Sequence, residues 1–192
     1  MKFGSHILPT YMPEVDGALA DYYRCMFEQI VEVEKLGFDQ AWVTEHHFGG
    51  YGGTLPHPPT FLSAVAQMTS SIRLGVAVAV LPLHSPLELA EAYAMADVIS
   101  SGRIDFGIGK GSEPVEYRKF GASRDEATQR FRESAEIIRQ AWSHRSTFMA
   151  NSITTTTSTF CPNPCSGRIR RSGSAPRAVK RRFVGRVKWA TT

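Results

Sequence analysis

The chain is short of the features that mark several protein classes. Three cysteines in 192 residues, Cys25, Cys161 and Cys165, have no framework spacing and exclude a disulfide scaffold. No uncharged apolar run approaches the roughly 20 residues of a membrane helix. The N-terminus has no basic stretch leading into an apolar core, so no secretory signal is expected. No Gly-Lys-Ser/Thr stands at the spacing of a Walker A loop, and no Gly-rich dinucleotide fingerprint follows the first strand, where the junction reads LPTYMPEVDG. These absences point to a soluble, cytoplasmic protein without a membrane partner. The last 43 residues, 150–192, contain no Asp or Glu at all.

That last absence divides the chain. The overall net charge is +4, yet the tail alone holds nine of the 22 Lys/Arg. The remaining 13 face all 18 Asp/Glu, which leaves the body at −5. The basic balance therefore says nothing about ligands of the body.

Along the body, strand-like and helix-like patterns alternate. Residues 1–8 read as a strand, and 16–36 carry apolar residues at helical spacing, closed by Gly37 as a C-cap. Residues 38–44 (FDQAWVT) read as a strand, followed by the Gly/Pro-rich loop EHHFGGYGGTLPHPP and a helix over 58–69. The run IRLGVAVAVL, 72–81, is almost wholly apolar and suits a strand buried on both faces. Ser85, Pro86 and Glu88 predict a capped helix start with a capping box, and Gly102 ends that helix. A strand over 103–109 and a helix over 123–143 complete four βα units. The order demands a parallel sheet with right-handed crossovers. Units of about 35 residues suit a (β/α)8 barrel, but periodicity alone leaves a doubly wound sheet open.

In parallel α/β folds chemistry gathers at the C-terminal ends of strands. Three such ends stand out. TEHHF follows the second strand. Successive residues of a strand point to opposite faces, so His46 and His47 do not chelate one ion together, and no metal site is expected. One of the two should face the mouth as acid, base or hydrogen-bond donor; the alternative is that both pack or bond to backbone. In AVAVLP, Ala77 and Ala79 leave room for a flat group against the backbone, or simply fill a core. In GIGKGSEP, Gly107, Gly109 and Gly111 free backbone amides for an anion beside Lys110, or form a tight turn with an exposed lysine.

Taken together, MKFGSHILPTY, GFDQAWVTEHHF, IRLGVAVAVLPLHSPLELAEAYAMADVISSGRIDFGIGKG and YRKFG resemble the bacterial luciferase-like flavin monooxygenases over about residues 1–145. The resemblance implies the N-terminal half of a (β/α)8 TIM barrel. It implies reduced FMN as cofactor, or coenzyme F420 as in some branches, with EHHF and MKFG leaning toward the FMN branch. The implied activity inserts one oxygen atom from O2 into an aldehyde, an alkane or a related small organic. A flavin reductase would supply reduced FMN, and a homodimer would form through helices of this half. His46 matches the family's catalytic histidine, with Glu45 beside it on the cofactor side. Ala77–Val78 matches a non-proline cis peptide under the isoalloxazine ring, and Lys110 matches the base that meets the FMN phosphate. Ala127-Thr128 stand where many relatives have a phosphate-contacting Ser-Arg, which thins that site.

The resemblance divides the chain into residues 1–148, a partial luciferase-like barrel of four βα units, and 149–192, a basic, low-complexity, irregular and disordered tail. A basic tail suggests a nucleic-acid arm, yet a flavin enzyme has no evident use for one, and none is expected. Cys161 and Cys165 lack the second ligand pair of a zinc site. Back-translation offers another origin. Read one register away, codons for 149–157 give Gly-Glu-Phe-Tyr-His-Tyr-Asp-Asp, and those for 166–175 give a fifth-strand segment of the family. The expectation is a frameshift near Thr147–Phe148 in a truncated, inactive or weakly active enzyme. Resequencing the gene across those codons should reveal the shifted frame; an unbroken frame with these codons overturns it.

Overall fold

The computed structural model describes residues 1–49, 52–142 and the backbone of 188–189. Its elements are β1 (Gly4–Ile7), α1 (Pro13–Asp16), α2 (Leu19–Lys35), β2 (Gln40–Val43), α3 (Pro58–Ala66), β3 (Arg73–Val80), α4 (Pro86–Ile99), β4 (Ile104–Gly109), α5 (Pro114–Lys119), α6 (Ala127–Trp142) and β5 (Lys188–Trp189). A single 3-10 turn, Leu81–Leu83, links β3 to α4.

The sheet runs β1-β2-β3-β4-β5, every pair parallel. That order decides what periodicity left open. A doubly wound sheet reverses direction at a switch point, whereas each strand here pairs with the next in the chain, which is barrel winding. The four-stranded parallel sheet of the body is therefore the start of a barrel. β5 pairs at Gly107 and Ile108 of β4. The rest of the expected domain 149–192, including the back-translated strand segment, lies outside the described residues.

The helix-facing side of the sheet carries two adjoining apolar clusters. α2 presents Met26 and Ile30, α3 presents Phe61, Leu62 and Val65, and these meet Ala41, Val43 and Leu74. α4 presents Leu89, Ala90 and Tyr93, α6 presents Ile138, and these meet Val76, Phe106 and Ile108. The residues on α2 recur at i and i+4, the spacing that makes one helical face. Truncating a fully buried member such as Leu62 or Leu74 costs about 2–5 kcal/mol. On the opposite face, Trp42 of β2 lies across Gly75 of β3, where any Cβ would collide with the indole ring. Arg73 and Asp105 form a bidentate ion pair on that face, both bonds at 2.8 Å.

At the opposite end from the strand C-termini, Arg103 ties the layers together. Its guanidinium donates to the carbonyls of Ser100, Ile72, Ala66 and Thr69 and to Thr69 Oγ1, at 2.8–3.1 Å. The rigid fork of arginine suits such a spread of acceptors, and a lysine could not reproduce it.

Local structure departs from the sequence expectation in three places. The helix expected over 16–36 is broken. Gly17 adopts φ +70, and the Asp16 carboxylate folds back onto Met12 N–H at 2.7 Å, so α1 closes as a separate turn before α2 begins. The capping box does not form: Ser85 holds the N-cap position without a side-chain cap bond, and Pro86 behind it needs no N–H partner. The segment before the last helix holds an additional helix, α5, too short to show periodicity, and α6 starts at Ala127 after the Arg124–Ala127 turn. Gly37 and Gly102, at φ +82 and +83, end their helices as expected. No helix among the described residues is long and apolar enough to cross a membrane.

Glu34 near the C-terminus of α2 fixes the entry to β3. Its carboxylate accepts from the amides of Ser70, Ser71 and Ile72 and from Ser71 Oγ. Partial burial works against ionisation, but these bonds outweigh it and hold the pKa at about 2. A carboxyl depressed on folding stabilises above its unfolded pKa and loses that contribution as pH falls toward the folded value. The stability gap between the protein and Glu34→Gln should be level above about pH 5 and shrink between there and about pH 2. Urea unfolding at stepped pH measures it; a gap independent of pH removes Glu34 from this role.

Candidate active site

Parallel strands bring their C-terminal ends to one rim, and the rim carries all three sequence segments singled out above. Thr44–Phe48 follow β2, Ala77–Val80 form the last half of β3 before Leu81, and Gly109 ends β4 before Lys110 and Gly111.

On β3 the rim begins with an irregularity. Val76 pairs with Phe106, but Ala79 pairs with Ile108, so β3 carries one residue more than β4 across this interval. The Ala77–Val78 peptide inside it is cis. Both residues are half-buried while Val76, Ala79 and Val80 are buried, so the extra residue forms a small accessible ledge. β4 accommodates it by having no side chains there. A Cβ on Gly107 would meet the Val76 carbonyl, and one on Gly109 would meet Val78 Cγ2.

After β4 the chain turns at Gly111, φ +77, where a Cβ would also strike Val80. Lys110 is exposed on this turn. Its carbonyl accepts a hydrogen bond from Tyr117 Oη of α5 at 2.5 Å, which anchors the turn to the helix that follows.

The two histidines, in the loop after β2, part company. His46 Nδ1 lies 3.1 Å from Glu116 Oε1 of α5. The same oxygen accepts the His47 backbone N–H at 2.7 Å. The His47 ring turns the other way, its Nε2 3.1 Å from Glu45 Oε1, and packs edge-on against Phe120 with ring centroids 4.7 Å apart. Gly52, φ +74, leaves room for the His46 ring, because a Cβ there would collide with His46 Cδ2.

Glu45 sits beneath the rim with a side chain 1% exposed. Oε1 also receives His84 Nε2 at 2.6 Å, from the loop after β3. Burial pushes the carboxyl pKa up, but the hydrogen bonds and positive character of His47 and His84 prevail, and the group lies below the usual carboxylate range. Tyr93 below it is fully buried. Burial and then the Glu45 charge hold its phenol well above an ordinary tyrosine.

Glu45, His47 and His84 form a carboxylate–imidazole cluster with one ligand atom each within 4.8 Å of the others. The donor set is one zinc accepts. However, a tetrahedral ion with bonds of about 2.1 Å holds its ligand atoms about 3.4 Å apart. The observed 2.6 and 3.1 Å are hydrogen-bond separations from one oxygen. The cluster is therefore read as two imidazole N–H groups donating to a carboxylate.

The rim thus places His46, the Ala77–Val78 ledge and Lys110 at the C-terminal ends of three neighbouring strands. It sets Glu45 under the site, facing His47 and His84. Two residues that sequence reasoning did not single out, His84 and Glu116, complete it. His84 stands in LPLHSP, directly after a strand end, which was the available signal. Glu116 carried none, since its helix is six residues long.

The family model for luciferase-like monooxygenases matches residues 1–182. The chain belongs to that family. Among solved structures, a luciferase-like fold close to this one is the monooxygenase RslO1 from Streptomyces bottropensis, with TM-score 0.80 and 33% identity, covering 85% of this chain and 50% of that one. The oxygenase component of a flavin-dependent trigonelline monooxygenase from Acinetobacter baylyi is 32% identical over 123 residues, 61% of this chain and 34% of the relative. An F420-dependent glucose-6-phosphate dehydrogenase from Amycolatopsis mediterranei is 31% identical over 125 residues, 62% of this chain and 38% of the relative. The chain therefore spans between about a third and a half of the length of these relatives.

Removing the Glu45 carboxylate leaves two imidazole donors without their acceptor, His47 buried and His84 nearly so. Glu45→Leu should destabilise by about 2–4 kcal/mol. Urea denaturation checks this, and a loss under about 0.5 kcal/mol shows that the cluster is not held by the carboxylate.

Proposed function

We propose that this chain carries the flavin-binding half-site of a cytoplasmic monooxygenase that uses reduced FMN and O2 to oxygenate a small organic molecule of the aldehyde or alkane kind. The observation that carries the reading is the shared rim. A half-buried ledge at Ala77–Val78, an acid/base at His46 and a cation at Lys110 lie at the ends of three neighbouring strands. The residues suit the group: glycines at 107 and 109 let β3 press close against β4 and carry the partly accessible Ala77–Val78 ledge, and Lys110 stands on an exposed turn where a phosphate can meet a positive charge.

Bound reduced FMN would supply two electrons, with which O2 gives one oxygen atom to the substrate and the other to water. The chain's own part is to seat the ring on the ledge, hold the phosphate end at Lys110, and take or return a proton at His46. Glu45 acts from below through His47 and His84. A reductase would deliver the reduced cofactor. A second copy of the chain could associate through the helices of this half.

Two other readings remain. F420 in place of FMN is favoured by the F420-dependent relative. An inactive fragment is favoured by the short span of the chain relative to its family, with residues 149–192 as a segment in a shifted frame.

Anaerobic fluorescence titration separates them. The chain should bind FMN, and Lys110→Ala should weaken FMN about tenfold, as loss of one charge-assisted contact does, while riboflavin binding is unchanged. Equal effects on FMN and riboflavin overturn the phosphate role of Lys110. A preference for F420 moves the chain to that branch, and no binding of either supports the fragment.

A further inference from the structure

We propose that Glu116 is the positioning residue of the site: it keeps the proton on His46 Nδ1, so that Nε2 carries its free lone pair at the rim. The proposal deepens the reading above, on which its meaning for turnover rests.

The geometry fixes the direction of the bond. Glu116 Oε1 accepts from the His47 backbone amide at 2.7 Å, and that amide is a donor in any state of the protein. The oxygen is thus already an acceptor when it meets His46 Nδ1 at 3.1 Å. A carboxylate can only accept, so a neutral imidazole facing it must place its proton on Nδ1. His46 Cδ2 faces Gly52, which leaves Nε2 and Cε1 as the outward edge. Nε2 has no hydrogen-bond partner among the described residues and is not one of their buried unpartnered atoms. It therefore opens to the rim as an acceptor, the form a base needs.

The arrangement is built rather than incidental. The His46 side chain is 26% exposed and the Glu116 side chain 4%, so solvent competes little for the bond. Glu116 stands on α5 beside Tyr117, whose hydroxyl holds the Lys110 carbonyl. One short helix thereby sets both ends of the site, the histidine through residue 116 and the cation turn through residue 117. A backbone N–H and a ring N–H converging on one oxygen also hold the ring plane and the chain direction together. An acceptor placed behind a histidine in this way fixes its tautomer and orientation without touching substrate.

The test needs no cofactor. Long-range proton–nitrogen correlation spectra of the full chain with 15N-histidine, in mildly alkaline buffer where imidazoles are neutral, report which ring nitrogen carries the proton. His46→Asn identifies the signals. The wild-type protein should show a protonated Nδ1 and a bare Nε2 for His46. Glu116→Leu should shift the ring toward the Nε2-protonated form that a free imidazole prefers. Glu116→Gln, whose amide oxygen can still accept both N–H groups, should restore the wild-type pattern. A protonated Nε2 in the wild-type protein overturns the proposal, and so does a Glu116→Leu spectrum unchanged at His46. If Glu116→Leu does not fold by circular dichroism, the wild-type and Glu116→Gln spectra still decide, because each must show Nδ1–H. In chain loaded with reduced FMN and turning over, Glu116→Leu should lower kcat about a hundredfold with KM little changed, and Glu116→Gln should recover most of it. A change confined to KM overturns the catalytic meaning. Absent flavin binding sinks the functional reading and leaves the tautomer result standing.

Discussion

The residues of the candidate site owe their shared position to the parallel pairing of each strand with its successor. Parallel strands joined by right-handed crossovers all point the same way, so their C-terminal ends must share one rim. β2, β3 and β4 are neighbours in that order. The loops that leave them have nowhere to go except beside one another. Residues far apart in the chain therefore crowd into one small region: His46 and Glu116 are 70 positions apart, and Glu45 and His84 are 39 apart.

Crowding alone would leave polar groups unpaired, and two buried glutamates prevent this. Glu45 receives the ring nitrogens of His47 and His84. Glu116 receives the ring of His46 and the amide of His47. A buried carboxylate is costly unless hydrogen-bonded, so each is stable only with its donors in place. The dependence works in both directions. The loops need the carboxylates to hold their histidines, and the carboxylates need the histidines to remain buried. The result is a clean split between neighbouring side chains, His46 toward the rim and His47 into the layer beneath.

The outline of the fold was legible from local pattern. The apolar run at 72–81 announced a strand covered on both sides, and Gly37 and Gly102 announced helix ends, because only glycine takes those positive φ values easily. The identities in EHHF and GIGKG pointed to the rim. Other details were not legible. The break at Gly17 depends on Asp16 folding back to Met12, one particular hydrogen bond rather than a periodicity. Ser85 looks like a cap but makes no side-chain cap bond. α5 is a six-residue helix whose buried members, Glu116 and Tyr117, are polar, so no hydrophobic pattern marks it.

The sequence by itself determined the alternation of the four main βα units, the family and which residues lie near strand ends, since each is carried by neighbouring residues or by motif identity. Only the tertiary structure decided that the strands pair in chain order, that β3 carries its extra residue at Ala77–Val78, and that Glu45 and Glu116 are the acceptors for different histidines. The reason is physical. Periodicity reports which face of an element meets the core, but the partner of a hydrogen bond across two loops depends on where the sheet delivers them. No local pattern encodes that.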